Sequence, residues 1–380
     1  MNRRFRTTSA IIAVTVLLAA CGSDDGSSDD PAADTDAAAQ GTTASGATPA
    51  TASASPGGGD DSCASVDLST PPDEPVTMRI GHGTAAEENY WYQFVDPEGA
   101  GAQHYGSWYT IEASPFNPTD RLDAYQAGSL DGGTLSTPQF VTAIAAGLPI
   151  TAVGSIALES SDEQAFNTTY SALESSGITS PADLEGKTIG ILAPNTATEW
   201  WAKSAVASAG LDPERDAQYV AIPFPEQEAA LRDGTIDVGV FVEPFYGISR
   251  AEGGLVDVFD SLTGPGVDHE LLLAWFDTAF IEEHTEAFCA WRADYVAATE
   301  SYLADREAAA TALIDADVLL AESVAGYMQT TDYARRPSGA INLGGLDVVI
   351  TDMVDVGFLP EDQTAPAAEL VTEGYSIIEK

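Results

Sequence analysis

The chain has 380 residues, with 59 acidic against 15 basic side chains and a formal charge of −44. Such a surface repels nucleic acid and anionic lipid, so charge-driven binding to either is excluded. Lys187, Lys203 and Lys380 are the only lysines, which leaves no basis for a lysine-centred site.

Arg3, Arg4 and Arg6 precede an apolar run from Ala10 to Ala20 broken only by Thr15, the layout of a secretion signal over residues 1–20. The run is too short to span a bilayer. It ends in Leu18-Ala19-Ala20-Cys21-Gly22, which resembles the bacterial lipobox and implies cleavage before Cys21 and acylation of that cysteine. Residues 21–62 follow as almost entirely Asp, Ser, Ala, Thr, Gly and Pro, too poor in large apolar side chains to offset chain entropy, and read as a disordered tether. The remainder is long enough for two ordinary cores. Cys63 and Cys289 are left after Cys21, and the sequence permits either a disulfide or two separate thiols. No CxxC pair occurs, and His82, His104, His269 and His284 lack a second histidine at helical spacing, so neither a metal nor a cofactor is expected.

In the folded body, periodicity predicts strands over Val76–Gly81, Trp108–Ala113, Ser129–Leu135 and Pro149–Leu158. Between them it predicts helices over Ala85–Phe94, Asp120–Ala127 and Pro138–Ala146. The order then repeats, with strands at Lys187–Leu192, Gln218–Ile222, Thr235–Val242 and Leu255–Phe259. The intervening helices fall at Thr196–Ala209, Glu226–Arg232 and Pro244–Arg250. A strand at Leu271–Phe276 and helices at Thr285–Leu303, Arg306–Ile314, Val318–Met328 and Leu346–Val356 complete the chain. Such alternation describes an α/β body with largely parallel sheets.

The halves overlay. Gly128, Asp131, Gly133, Thr137 and Pro138 match Gly234, Asp237, Gly239, Glu243 and Pro244 at a constant offset of 106 residues. In each copy Gly stops a helix, Asp opens a buried strand and Pro begins the next helix. Thr137 and Glu243 then stand at the carboxyl ends of strands, where open parallel sheets bind ligands. Each has a plainer reading, Thr137 as a cap and Glu243 as an acid complementing the helix dipole.

The stretches Gly177 to Gly190 (with Ser180-Pro-Ala-Asp-Leu), Asn195-Thr-Ala-Thr-Glu-Trp-Trp201 and Asp237 to Phe245 resemble the nitrate, sulfonate and taurine receptor family. That family shares its fold with pyrimidine-precursor proteins of thiamine synthesis. The resemblance implies a type II periplasmic binding protein fold of two doubly wound lobes joined by a two-segment hinge. Lobe 1 would comprise residues 76–158 plus 261–380, and lobe 2 residues 159–260. It further implies an extracytoplasmic, monomeric receptor held to the membrane only by a lipid on Cys21. The receptor would close on a small organic solute that is sulfonate, taurine-like, nitrate-like or pyrimidine-like and deliver it to an ABC permease and ATPase without chemistry. Expected ligand contacts are His82, Gly83, Thr84, Ser136, Thr137, Asn195, Thr196, Thr198, Trp200 and Glu243. Since Trp200 and Trp201 are adjacent on one helix, one of them is expected near the cleft or surface. Arg79 and Arg121 are expected in salt bridges, and the Phe288, Trp291, Tyr295, Tyr302 stripe in the core. Two rival readings remain: a pyrimidine-precursor enzyme, whose histidine- and cysteine-bearing site has no counterpart in this sequence, and a ligand-sensing surface lipoprotein.

Overall fold

The computed structural model describes residues 61–319 and 327–379. The expected signal, Cys21 and the tether up to residue 60 lie outside the described residues, as do residues 320–326 of the helix expected at Val318–Met328.

Among the described residues ten strands form two five-stranded sheets. They are β1 (Val76–His82), β2 (Tyr109–Pro115), β3 (Gly132–Ser136), β4 (Ile150–Glu159), β5 (Thr169–Leu173), β6 (Lys187–Ile191), β7 (Ala217–Ala221), β8 (Val238–Phe241), β9 (Leu255–Asp260) and β10 (His269–Asp277). The first sheet has the order β2-β1-β3-β10-β4 and the second β7-β6-β8-β5-β9. These orders are equivalent: β1, β2, β3 and β4 map onto β6, β7, β8 and β9, and β10 maps onto β5. In both sheets the mapped fourth strand runs antiparallel to its neighbours. The chain therefore leaves the first sheet after β4, lays β5 into the second, and returns after β9 to lay β10 into the first.

The sequence reading has no strand at β5. Thr169–Leu173 has five residues and no clear alternation, and it is a strand because β8 and β9 pair with it on both sides. β3 and β8 begin later than the sequence suggests, each just after the repeated aspartate.

The helices are α1 (Glu88–Val95), α2 (Pro118–Gln126), α3 (Thr137–Ala145), α4 (Ala197–Ser208), α5 (Phe224–Asp233), α6 (Phe245–Glu252), α7 (Thr278–Glu283), α8 (Thr285–Ala304), α9 (Arg306–Asp315), α10 (Tyr327–Thr330) and α11 (Leu343–Asp355). α8 is the keel of the first sheet's helical layer and packs against α1 and β2. Its Phe288, Trp291, Tyr295 and Tyr302 are fully buried, and the rings of Trp291 and Tyr295 stack at 5.5 Å. Asp294 on the same helix is also buried, and is satisfied by His104 Nδ1 at 2.7 Å and the Tyr109 hydroxyl at 2.9 Å. A buried carboxylate without such donors would be strongly destabilising.

Cys63 and Cys289 are joined by a disulfide, with Cα atoms 5.2 Å apart, which clips the first described turn to α8. Asp61 and Ser62, assigned from sequence to the tether, are already bonded to the body, through Arg292 and the carbonyl of Gly374 respectively. The bridge spans 226 residues of chain, so reducing it frees a long loop in the unfolded state. Denaturant unfolding with and without reductant should show a loss of about 2–4 kcal/mol, and the Cys289→Ser variant should show no reductant dependence.

Candidate functional site

The repeat read from the sequence has a mechanical meaning. Asp131 accepts the backbone N–H of Arg79 at 2.9 Å, and its own N–H donates to the Arg79 carbonyl at 2.8 Å. Asp237 makes the same pair with Thr188, at 2.9 and 2.8 Å. Each aspartate thereby sets β3 against β1, or β8 against β6, and brings their carboxyl ends level. Gly128 and Gly234 end the preceding helices at φ 72° and 81°, a left-handed conformation that favours glycine. Arg79 adds its guanidinium to Asp131 as an ion pair at the opposite end of the strand from the cleft.

A cavity of about 110 Å³ lies where the strand ends of the two sheets meet. The first sheet contributes the Gly83–Glu87 loop after β1, Phe116–Pro118 after β2, Ser136 and Gln139 after β3, and Arg121 from α2. The second contributes Leu192 and Thr196–Thr198 after β6, Trp201 from α4, Phe224 after β7 and Val242 after β8. Thr168 from the first crossing, Leu271 and Leu272 from β10, and Tyr333 complete it. A wider surface concavity of about 790 Å³ lies at the other end of the first sheet, but only that sheet's elements line it.

Of the residues singled out from sequence, Gly83, Thr84, Ser136, Thr196 and Thr198 line this cavity. His82 does not: its ring packs near Trp91 and Phe94, with Nδ1 2.7 Å from the Gly83 carbonyl. Thr137 is fully buried and donates its hydroxyl to the Glu270 carbonyl at 2.5 Å. Asn195 is exposed, with its backbone N–H bonded to Glu199. Thr196 and Thr198 share a hydrogen bond at 2.8 Å, and Thr198 also accepts from Leu192 N–H, so these hydroxyls stiffen the loop that presents them.

Both tryptophans of α4 are buried, and one of them, Trp201, lies at the cavity, where the sequence placed one of the two near the cleft or surface. A helix advances about 100° per residue, so adjacent side chains can serve two walls when the helix is covered on both. Trp200 points away from the cavity and donates to Asp352 of α11 at 2.6 Å. Trp201 lines the cavity and donates to His269 Nε2 at 2.9 Å, while His269 Nδ1 lies 2.9 Å from the Val267 carbonyl. Accepting at Nε2 requires a neutral ring, and burial holds the His269 pKa down to about 4. Trp201, and not Trp200, is thus the tryptophan on the cavity wall.

Glu243 lies outside the cavity wall, which ends at Val242. Its carboxylate accepts from Gly247 N–H at 3.1 Å. Burial pushes its pKa up to about 7, with the charges of Asp332 and Glu88 adding to the effect. Those two acids belong to a buried group around Arg335, which pairs with both.

The charged side chains on the cavity wall are Glu87 and Arg121. Glu87 Oε1 accepts from Gly83 N–H at 2.9 Å and from the Thr134 hydroxyl at 2.8 Å. Arg121 Nη1 donates to the same hydroxyl at 2.6 Å. Arg121 makes no salt bridge of the kind expected; a threonine stands between the two charges. Sequence pattern could not reveal this, because Glu87, Glu88 and Asn89 form a polar run that is entirely buried and finds most of its partners in distant segments.

The two crossings between the sheets meet at Glu159. Its carboxylate accepts Thr168 N–H at 2.9 Å, the Thr168 hydroxyl at 2.7 Å and the Ser261 hydroxyl at 2.6 Å. Burial raises its pKa to about 7 even though these donors pull it down. A carboxyl raised in the folded state stabilises fully below its unfolded pKa near 4.5, and that contribution is lost as pH rises through 7. Between pH 5 and 8 the protein should lose stability, and Glu159→Gln should shrink the loss by roughly 3 kcal/mol in denaturant melts at each pH. Parallel profiles for the two proteins would show that Glu159 does not titrate in that range.

Two sheets of one strand order, exchanging a strand each and closing on a cavity at their carboxyl ends, define the periplasmic binding protein fold. Solved structures agree. The ligand-binding component of an ABC-type import system from Staphylococcus aureus, with zinc bound, superposes with a TM-score of 0.63 at 14% identity, over 79% of this chain and 97% of that one. The alkanesulfonate-binding protein SsuA from Xanthomonas axonopodis pv. citri, bound to MOPS, gives 0.62 at 16%, over 79% and 99%. The nitrate-binding protein NrtA from Synechocystis PCC 6803 gives 0.61 at 12%, over 80% and 87%. The model of the family described as NMT1/THI5 like matches residues 111–316, more than half of the chain, and the chain belongs to that family. No curated protein matches it in sequence. Among the described residues no group of three or more His, Cys, Asp or Glu is placed to hold a metal ion, and no helix is long and apolar enough to cross a membrane.

Proposed function

We propose that this chain is the solute-binding receptor of an ABC importer, holding a small organic molecule between two lobes and presenting it to a permease. The observation that carries this reading is a cavity walled by elements of both sheets. A solute there touches loops that belong to separate sheets, so its binding energy favours the approach of one to the other. Turning a mostly open population into a mostly closed one requires a preference of about 5 kcal/mol for the closed form, within reach of contacts from two walls. The cavity lining carries hydroxyls, amides and apolar side chains but neither His nor Cys, which supports binding rather than a pyrimidine-precursor synthesis. In this reading lobe 1 is residues 76–158 plus 261–380 and lobe 2 is residues 159–260. Gly83, Thr84, Ser136, Thr196 and Thr198 contact the solute. The body acts as a monomer outside the cytoplasmic membrane, tethered through acylated Cys21.

A thermal-shift screen of small solutes, followed by solution scattering, tests the reading: a ligand should raise the melting temperature and reduce the radius of gyration together. Trp201→Ala should weaken that ligand at least ten-fold while leaving the ligand-free melt nearly cooperative. Turnover of the ligand by the protein alone would replace the receptor reading with an enzymatic one. The anchor is checked separately, since Cys21→Ser should move the protein from the membrane fraction to the soluble one.

A further inference from the structure

Resting on the receptor reading, the charges built into the cavity wall limit the charge of the solute. Among the described residues that wall carries one acid and one base, Glu87 and Arg121, both almost wholly buried. They flank one point of it. A Cβ added at Gly83 would lie 2.7 Å from Glu87 Oε1 and 3.1 Å from Arg121 Nη2. The Thr134 hydroxyl joins the two, donating to Glu87 at 2.8 Å and accepting from Arg121 at 2.6 Å. The donors around them are turned to acceptors of the protein itself. Gly83 N–H donates to Glu87 Oε1 at 2.9 Å, Arg121 Nη1 also donates to the Thr134 carbonyl, and Nη2 donates to the Phe116 carbonyl. Burial presses the Arg121 guanidinium towards losing its charge, and the Glu87 carboxylate is the largest effect opposing that. Glu87 is thus a resident anion, placed beside the one guanidinium of the wall.

Charge acts over distance, so this pair bears on any molecule in the cavity whether or not it touches it. An oxyanion entering the cleft sheds its hydration and meets a second negative charge, while the positive charge that would offset the loss is already matched. A cation sheds its hydration in the same way and meets Arg121. An uncharged solute of the same shape escapes both penalties. The hydroxyls of Ser136, Thr196 and Thr198 and the rings of Phe116, Trp201 and Phe224 make up much of the remaining wall, a lining that suits such a molecule. We propose that Glu87 determines the specificity of the cleft: as a resident anion beside Arg121 it turns away oxyanions, and the cleft takes an uncharged polar solute.

The test is ligand-observed NMR titration of the purified protein with methanesulfonate, dimethyl sulfone and trimethylsulfoxonium, tetrahedral sulfur compounds of similar size that are negative, neutral and positive. Dimethyl sulfone should bind roughly ten-fold or more tightly than either ion. Glu87→Gln keeps an oxygen for Gly83 N–H and the Thr134 hydroxyl but removes the negative charge, leaving Arg121 unbalanced. In that variant methanesulfonate should bind more tightly than dimethyl sulfone, a reversal that a merely structural role for Glu87 would not produce. Since the three probes are first compared on the unaltered protein, they decide the matter even if the variant folds poorly. Equal affinities, or a preference for either ion, overturn the exclusion while leaving the receptor reading intact. An unreversed order in a folded Glu87→Gln protein overturns the role of Glu87. Binding of dimethyl sulfone that survives Trp201→Ala lies outside the cleft and overturns the assignment as well. Absence of binding by all three probes also overturns it, and the receptor reading is then decided by the wider compaction screen.

Discussion

Everything about the cleft depends on how two sheets can share one polypeptide without merging. The chain crosses between them twice, and the crossings are held together at a buried carboxylate, Glu159, which ends β4 and accepts from Thr168 before β5 and from Ser261 after β9. The backbone adds a bond from Ser261 N–H to the Thr168 carbonyl at 2.9 Å. Nearby, Asp268 accepts from Ser161 N–H at 2.7 Å and from the Ser160 hydroxyl at 3.1 Å. A junction made of short side chains and backbone pairs is compact, and it sets where the strand ends of one sheet stand relative to those of the other.

Away from that junction the C-terminal segment provides a second link. α11 packs against β10 and α3 of the first sheet and against α4 of the second. There Asp352 accepts both Trp200 Nε1 at 2.6 Å and the Ser204 hydroxyl at 2.5 Å. Two adjacent tryptophans thus divide the labour of one helix. One is anchored to the outer brace, and the other, oriented by neutral His269, forms the cavity wall.

Among the described residues most of the cations are committed to the chain's own acids, as expected where bases are so heavily outnumbered. Arg335 is fully buried between Glu88 and Asp332, Arg336 pairs with Glu270, and Arg79 with Asp131. Breaking a fully buried pair such as those of Arg335 is far more damaging than the pair itself is stabilising. The consequence for the cleft is that no spare positive charge is available to it, and its single arginine arrives already balanced by a glutamate.

The sequence by itself determined most of the framework. Glycine-stopped helices, aspartate-opened strands and a constant offset between halves are local devices, and the structure realises them as matched Asp131–Arg79 and Asp237–Thr188 pairs. Loop residues at strand ends were legible for the same reason, as with Gly83, Ser136, Thr196 and Thr198. Only the tertiary structure decided the rest. β5 exists because of neighbours on both sides, Trp201 rather than Trp200 faces the cavity because α4 is covered twice, and Thr137 and Glu243 turn to partners outside the wall. Glu87 and Arg121 meet through Thr134 of β3, and no periodicity along the chain encodes a contact between residues so far apart. Spacing reports which face a residue occupies on its own element; which neighbour covers that face is settled only when the sheets pack.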